Sequence, residues 1–180
     1  LPLVGPRQAD NLSVTFAIVD VLRRKGFEIP YEAVCAGVGK TTLPARTEGI
    51  SKDPLIILDG GHNADGARAL QKVLENVVRE DKTLVIGVMA DKEVDEVLAQ
   101  LAPLAKRVVT TTPSNGRAMS AEDLQERAKA FCGETAAEPD PCKAFDLARS
   151  LTKPGEALIV CGSLYLAGDV REHIIESCGI

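Results

Sequence analysis

The feature that most narrows the fold is the run Leu55-Ile56-Ile57-Leu58, followed at once by Asp59-Gly60-Gly61-His62-Asn63-Ala64-Asp65-Gly66. Four consecutive large apolar residues leave no polar face for water, so they read as a strand covered on both sides, as in a parallel sheet. Ala67, Leu70, Leu74 and Val77 then recur at helical spacing and read as a helix packed back onto that strand. The turn between them joins the carboxyl end of a strand to the amino end of a helix, where free backbone N–H groups and the helix dipole favour an anion or a polar ligand. Gly60 and Gly61 let such a ligand approach the backbone closely. Asp59, His62 and Asn63 crowd polar side chains into the same short turn. Two readings stay open on the residues alone: a ligand-binding turn, or a helix start capped by Asn63 or Asp59 beside a solvated histidine.

From Pro54 onward the chain alternates strand and helix. Residues 83–89 read as a second strand, and Val94, Val97, Leu98 and Leu101 give one helix face. Residues 108–112 form a third strand, Ser120 with Asp123 opens a helix in the manner of a capping box, and residues 135–138 read as a weak edge strand. Asp140-Pro141 opens a further helix through Leu151, and residues 157–162 are a strongly buried strand before a last helix. This predicts an α/β fold with a doubly wound, mostly parallel Rossmann-like sheet of five or six strands. Residues 1–40 differ. Asn11 reads as the cap of a helix running to about Lys25, with Phe16, Val19 and Leu22 on one stripe and Gly26 as the stop; a second helix follows Pro30, from Tyr31 to about Val38. No strand is expected before Leu55, so 54–180 is the expected compact domain, and 1–40 is either the tail of a domain whose main body is missing or a cover on the next one.

A formal net charge of −5 and a pI near 5.1 argue against a general nucleic-acid binder, which needs a basic face. The five cysteines, Cys35, Cys132, Cys142, Cys161 and Cys178, are odd in number and include no C-x-x-C pair, so neither a disulfide framework nor a metal site is suggested; a reducing cytoplasm fits them. No apolar run is long enough for a membrane span. The chain does not begin with Met, which fits a piece of a longer protein. Gly37-Val38-Gly39-Lys40-Thr41-Thr42 ends like a phosphate-binding loop, but the first glycine of that motif would fall at Val34, and a helix rather than a buried strand precedes it. It is read as a helix end entering a linker.

Several stretches carry a resemblance. Residues 58–70, LDGGHNADGARAL, are similar to the DGAHNP-type motif of the folylpolyglutamate synthase and dihydrofolate synthase family of the Mur ligase superfamily, with Gly61 for the usual Ala and Ala64 for the usual Pro. Gly5-Pro6-Arg7-Gln8-Ala9-Asp10-Asn11 resembles the family's G-x-H-Q-x-x-N segment, with Arg7 for His. Pro44-Ala45-Arg46-Thr47-Glu48 resembles its interdomain P-G-R-x-E segment, with Ala45 for Gly. Asp91-Lys92-Glu93, the stretch from Pro113 to Ala118 with Arg117, and Gly162-Ser163-Leu164-Tyr165 resemble three more, in the same order.

The resemblance implies an ATP-dependent ligase that converts a carboxylate to an acyl phosphate, which the amine of glutamate attacks to form an amide. Asn11, Arg46 and Asp59 would be nucleotide contacts, His62 and Ser163 would serve the reaction site, and Asn63, Lys92 and Tyr165 would be further substrate contacts. The implied partners are ATP, L-glutamate and dihydropteroate or a folate. Mg2+ would be held by an amino-terminal ATPase domain absent from this chain. On that resemblance 1–40 is the end of the central ATPase domain, 41–53 an interdomain linker and 54–180 the carboxy-terminal domain, and the chain alone is not a competent ligase. From the residues alone, Asn11 is equally a cap, Arg46 and Lys92 are solvated charges, Ser163 is a cap and Tyr165 a packed ring. A stand-alone nucleotide- or amino-acid-binding module without catalysis is the alternative. A nicotinamide enzyme is disfavoured because the turn lacks G-x-G-x-x-G spacing.

Overall fold

The apolar run does form a strand, β2 (Leu55–Leu58), and its residues alternate between two separate cores. The computed structural model describes residues 5–179, and the side chains of all of these except Pro6 and Arg7. Arg7 of the amino-terminal motif, as a side chain, and residues 1–4 of the expected 1–40 unit thus lie outside the described residues.

The chain opens with two helices, α1 (Pro6–Arg24) and α2 (Tyr31–Lys40), followed by β1 (Glu48–Lys52) and β2. Then come α3 (Ala64–Asn76), β3 (Lys82–Ile86), α4 (Val94–Leu101), β4 (Arg107–Thr110) and α5 (Ala121–Ala128). The chain closes with β5 (Thr135–Ala137), α6 (Pro141–Leu151), β6 (Ala157–Cys161) and α7 (Leu164–Cys178). The six strands lie in the order β1-β2-β6-β3-β4-β5; all neighbours are parallel except β1, which runs antiparallel to β2.

The register explains why the strands read as continuous apolar runs. Ile57, Leu84, Ile86, Val108 and Ile159 face α3, α4 and α5, where Leu70, Leu74, Leu98, Leu101 and Leu124 meet them. Ile56, Leu58, Val85, Val109, Leu158 and Val160 face the other way, onto Phe145 of α6 and Leu166, Val170 and Ile174 of α7. A strand buried on both sides cannot alternate with polar residues. β6 is inserted between β2 and β3, and the helix after it crosses one face of the sheet while the helices after its two neighbours cross the other. Such a switch of direction opens a crevice at the carboxyl ends of the strands.

Four sequence expectations are corrected. A strand does precede Leu55: β1 occupies much of the stretch expected to be a linker. Glu48–Lys52 shows no apolar alternation because it is a half-exposed edge with a register shift between Gly49 and Ser51, and its pairing with β2 is invisible in its own composition. Asn11 does not cap α1, because the helix begins one and a half turns earlier with Pro6 in its first turn and Gly5 as its cap residue. Val77 is exposed rather than packed, since α3 ends at Asn76; Val73 and Val78 are buried instead. The second and third strands end at Ile86 and Thr110, short of the expected Met89 and Thr112. Gly37 to Lys40 is helical, the last turn of α2, in keeping with its reading as a helix end.

No described side chain of α1 or α2 is buried, and Val14, Phe16, Ile18 and Val21 are all exposed. No helix among the described residues is long and apolar enough to cross a membrane.

Candidate functional site

Asp59 follows β2 directly and is 8% exposed. Burying a carboxylate is costly unless hydrogen bonds replace its water, and here three do. Thr47 donates to Oδ2 twice, from its backbone N–H at 2.8 Å and its hydroxyl at 2.9 Å, and the Gly61 N–H donates to Oδ1 at 2.8 Å. Residues 44–48 thereby form a strap tied over the turn. Its second tie is the Gly60 N–H donating to the Ala45 carbonyl at 2.7 Å. Its third is Glu48, whose Oε2 accepts the Ala45 N–H at 2.9 Å while the Arg171 guanidinium of α7 grips both carboxylate oxygens. Arg171 holds the Glu48 carboxyl below the usual range, and Glu48 in turn raises Arg171. Exposed Arg46 stands in the middle of this strap. Arg46, Thr47, Asp59, Gly61 and Gly66 line a small cavity of about 60 Å³, to which Gln8 of α1 and its cap residue Gly5 are added.

A second cavity, of about 220 Å³, lies on the other side of the same turn and is lined by His62, Met89, Lys92, Arg117, Ser163, Leu164 and Tyr165. Four strand ends supply these residues. His62 follows β2, and its Nδ1 lies 3.4 Å from the Gly60 carbonyl. Lys92 follows β3; Arg117 comes from the loop after β4 and pairs with Asp91 at 3.0 Å. Ser163 follows β6 and is 1% exposed; its Oγ accepts the Tyr165 N–H at 3.0 Å as the cap of α7. Gly60 leaves room here for the Leu164 side chain, whose Cδ2 would lie 2.2 Å from a Cβ at this position. Gly162, at φ +107°, lets β6 turn into α7 against the Gly87 carbonyl, 2.7 Å from where a Cβ would sit.

Residues 45–164 match the family model described as "Mur ligase, glutamate ligase domain". The chain belongs to this family. Within it, the chain is 31% identical over 174 residues to a probable bifunctional folylpolyglutamate synthase/dihydropteroate synthase of Haloferax volcanii, covering 95% of this chain and 20% of that protein. It is 28% identical over 178 residues to the folylpolyglutamate synthase of Lacticaseibacillus casei, covering 97% of this chain and 40% of that one. Mycobacterium tuberculosis folylpolyglutamate synthase, crystallised with ADP and AMPPCP, superposes with a TM-score of 0.84 at 31% identity, over 96% of this chain and 41% of the other. The chain thus spans at most about two fifths of the length of these relatives.

For this Mur ligase domain the structure sorts the sequence-derived residues into two groups. Arg46 and Asp59 share the small cavity; His62, Lys92, Ser163 and Tyr165 share the larger one. Two residues are not brought in. Asn11 is exposed on α1 and donates to Gln8 Oε1; it is Gln8, one turn earlier, that reaches the small cavity. Asn63 caps α3, its Oδ1 accepting the Gly66 N–H at 2.8 Å, as one of the two readings had it. Sequence reasoning missed Thr47 and the Glu48–Arg171 pair. Glu48 carried a signal, being the last residue of the P-x-R-x-E stretch, but Arg171 is 123 positions away with no local motif. As for Mg2+, no group of three or more His, Cys, Asp or Glu able to hold a metal occurs among the described residues, and both Asp59 oxygens are already taken by N–H and O–H donors. The described residues do not fit that ion.

Proposed function

We propose that this chain is the carboxy-terminal part of an ATP-dependent ligase that joins glutamate to dihydropteroate or a folate. The observation that carries the reading is the pair of cavities on either side of the Asp59–His62 turn, one holding Arg46, the other holding His62, Lys92 and Arg117 together. In the proposed reaction a substrate carboxylate oxygen attacks the γ-phosphorus of ATP, giving an acyl phosphate and ADP. The glutamate amine then attacks the acyl carbon; phosphate leaves, the amine loses a proton, and an amide remains. Arg46 is assigned to the nucleotide, since a planar fork of donors suits phosphate oxygens. Asp59 is assigned to holding the strap that aims it.

The larger cavity suits glutamate by charge. A substrate with two carboxylates gains from a histidine, a lysine and an arginine converging from three strand ends, and Tyr165 and Leu164 supply an apolar wall. Ser163 holds the amino end of α7 towards the same space. An acyl phosphate survives only away from water, and closure of this domain onto an ATPase domain would provide that. The exposed apolar residues of α1 and α2 are in keeping with such a neighbour. The free cysteines are in keeping with a cytoplasmic setting.

Steady-state kinetics on the protein made from its full reading frame tests the assignment. Arg46→Ala should lower kcat/KM for ATP, and His62→Ala kcat/KM for glutamate, each by roughly ten- to a hundredfold, the worth of one charge-assisted hydrogen bond. Wild-type kinetics in both variants would remove the turn from the reaction.

A further inference from the structure

We infer that the Glu48–Arg171 pair is a latch that aims Arg46, making Glu48 and Arg171 positioning residues for the nucleotide. The inference rests on the reading of Arg46 as a nucleotide contact.

Ala45 has φ +55° and Thr47 φ +50°, so the residues on both sides of Arg46 occupy the left-handed region without being glycine. A side chain with a Cβ is strained there, and an isolated segment of this sequence would leave that conformation. Something must hold it, and the ties are unequally distributed. Thr47 is held from below by the Asp59 carboxylate. Ala45 is held through its carbonyl by Gly60 and through its N–H by Glu48 Oε2. Glu48 can offer that oxygen in a fixed place because Arg171 engages the carboxylate side-on, Nη2 to Oε1 at 2.7 Å and Nε to both oxygens at 3.1 and 3.2 Å. The pair is partly shielded, with 35% of the arginine and 21% of the glutamate side chain exposed, so water competes for it less than on an open surface.

Arg171 comes from a helix that also serves the larger cavity. It stands on α7, about two turns after Ser163, Leu164 and Tyr165, which line the larger cavity. Leu164 also rests where Gly60 has no side chain. One helix therefore bears on both cavities, walling one with its first residues and reaching the strap of the other through the latch. A guanidinium misplaced by about 1 Å loses much of its value to a phosphate.

The test uses the protein made from its full reading frame, with ATP and glutamate varied independently. Arg171→Met and Glu48→Gln should each lower kcat/KM for ATP about tenfold while kcat/KM for glutamate at saturating ATP stays within about twofold. The double variant should be no worse than the poorer single one, because the two residues act as one unit. Arg171→Lys, which keeps the charge but not the fork, should fall between wild type and Arg171→Met. Arg46→Ala is measured alongside. An ATP defect in Arg46→Ala with normal ATP kinetics in the pair variants overturns the latch and leaves the nucleotide reading standing; normal ATP kinetics in Arg46→Ala overturns both. Equal losses for both substrates, additive effects, or failure of both Arg171→Met and Glu48→Gln to fold would make the pair a support of the fold and overturn the proposal.

Discussion

At the scale of single residues, the strap shows how a strained backbone can be recognised from chemistry. Ala45 stands where the resembling segment of the family carries glycine, and the structure gives that position a left-handed φ. Its methyl is nonetheless buried, in the same apolar cluster as Ala144 of α6. Replacing Ala45 with glycine relieves strain of about 1–2 kcal/mol, but gives up a methyl worth about 0.8 kcal/mol and adds freedom to the unfolded chain worth about 0.4–1 kcal/mol. The terms cancel, so Ala45→Gly should change unfolding free energy by less than about 0.5 kcal/mol. Ala144→Gly removes a fully buried methyl from a helix interior and should cost about 1.5–2 kcal/mol. Urea denaturation of the two variants checks this; equal losses would mean that the Ala45 conformation carries no strain. Asp59 was legible because it directly follows the apolar run that marks β2, and Arg46 only through the resemblance of residues 44–48 to a family segment. Thr47 was not legible, because its role depends on a turn of backbone that no side-chain pattern announces.

At the scale of elements, legibility followed burial. β2, β3, β4 and β6 are covered on both faces and announce themselves as apolar runs, and Asp140 and Ser120 mark their helices by capping them through Lys143 N–H and Asp123 N–H. β1 was lost because an edge strand takes its hydrogen bonds from a neighbour and needs no apolar alternation of its own. The Glu48–Arg171 contact was lost for a related reason: it joins β1 to α7 across the fold. α7 itself offers a test at this scale. Ser163 is buried and its Oγ is the only side-chain cap that helix has, so Ser163→Ala should cost about 1 kcal/mol, a fall in Tm of roughly 3 °C for a chain of this size. Calorimetry reads this directly, and an unchanged Tm would show that the hydroxyl serves only the cavity.

Across the whole molecule the two ends of the sheet divide the work. The carboxyl ends of the strands carry the two cavities of the candidate site, whereas the amino ends carry a buried ion network that lines neither of them. Arg107, at the start of β4, donates to Glu156 at 2.8 Å just before β6 begins, and Glu134 and Lys106 approach the same pair. Both partners are almost entirely buried, with side chains 10% and 9% exposed, so breaking the pair leaves a desolvated charge. The Arg107 guanidinium and the Lys153 N–H hold the Glu156 carboxyl down at about 2. Because the folded value lies below the ordinary carboxyl range, the stabilisation is complete above about pH 4.5 and is lost as pH falls through about 2. It amounts to about 3 kcal/mol, the free-energy equivalent of that displacement. Glu156→Gln forfeits this charge at every pH. The variant should therefore be about 3 kcal/mol less stable at pH 7, and the gap should close as both proteins are taken from pH 4.5 towards pH 2, where the wild-type carboxyl also becomes neutral. Urea midpoints measured across that window decide the matter: a gap that stayed constant with pH would mean that the glutamate supports the fold by shape alone, and that its charge contributes nothing at the amino ends of the strands.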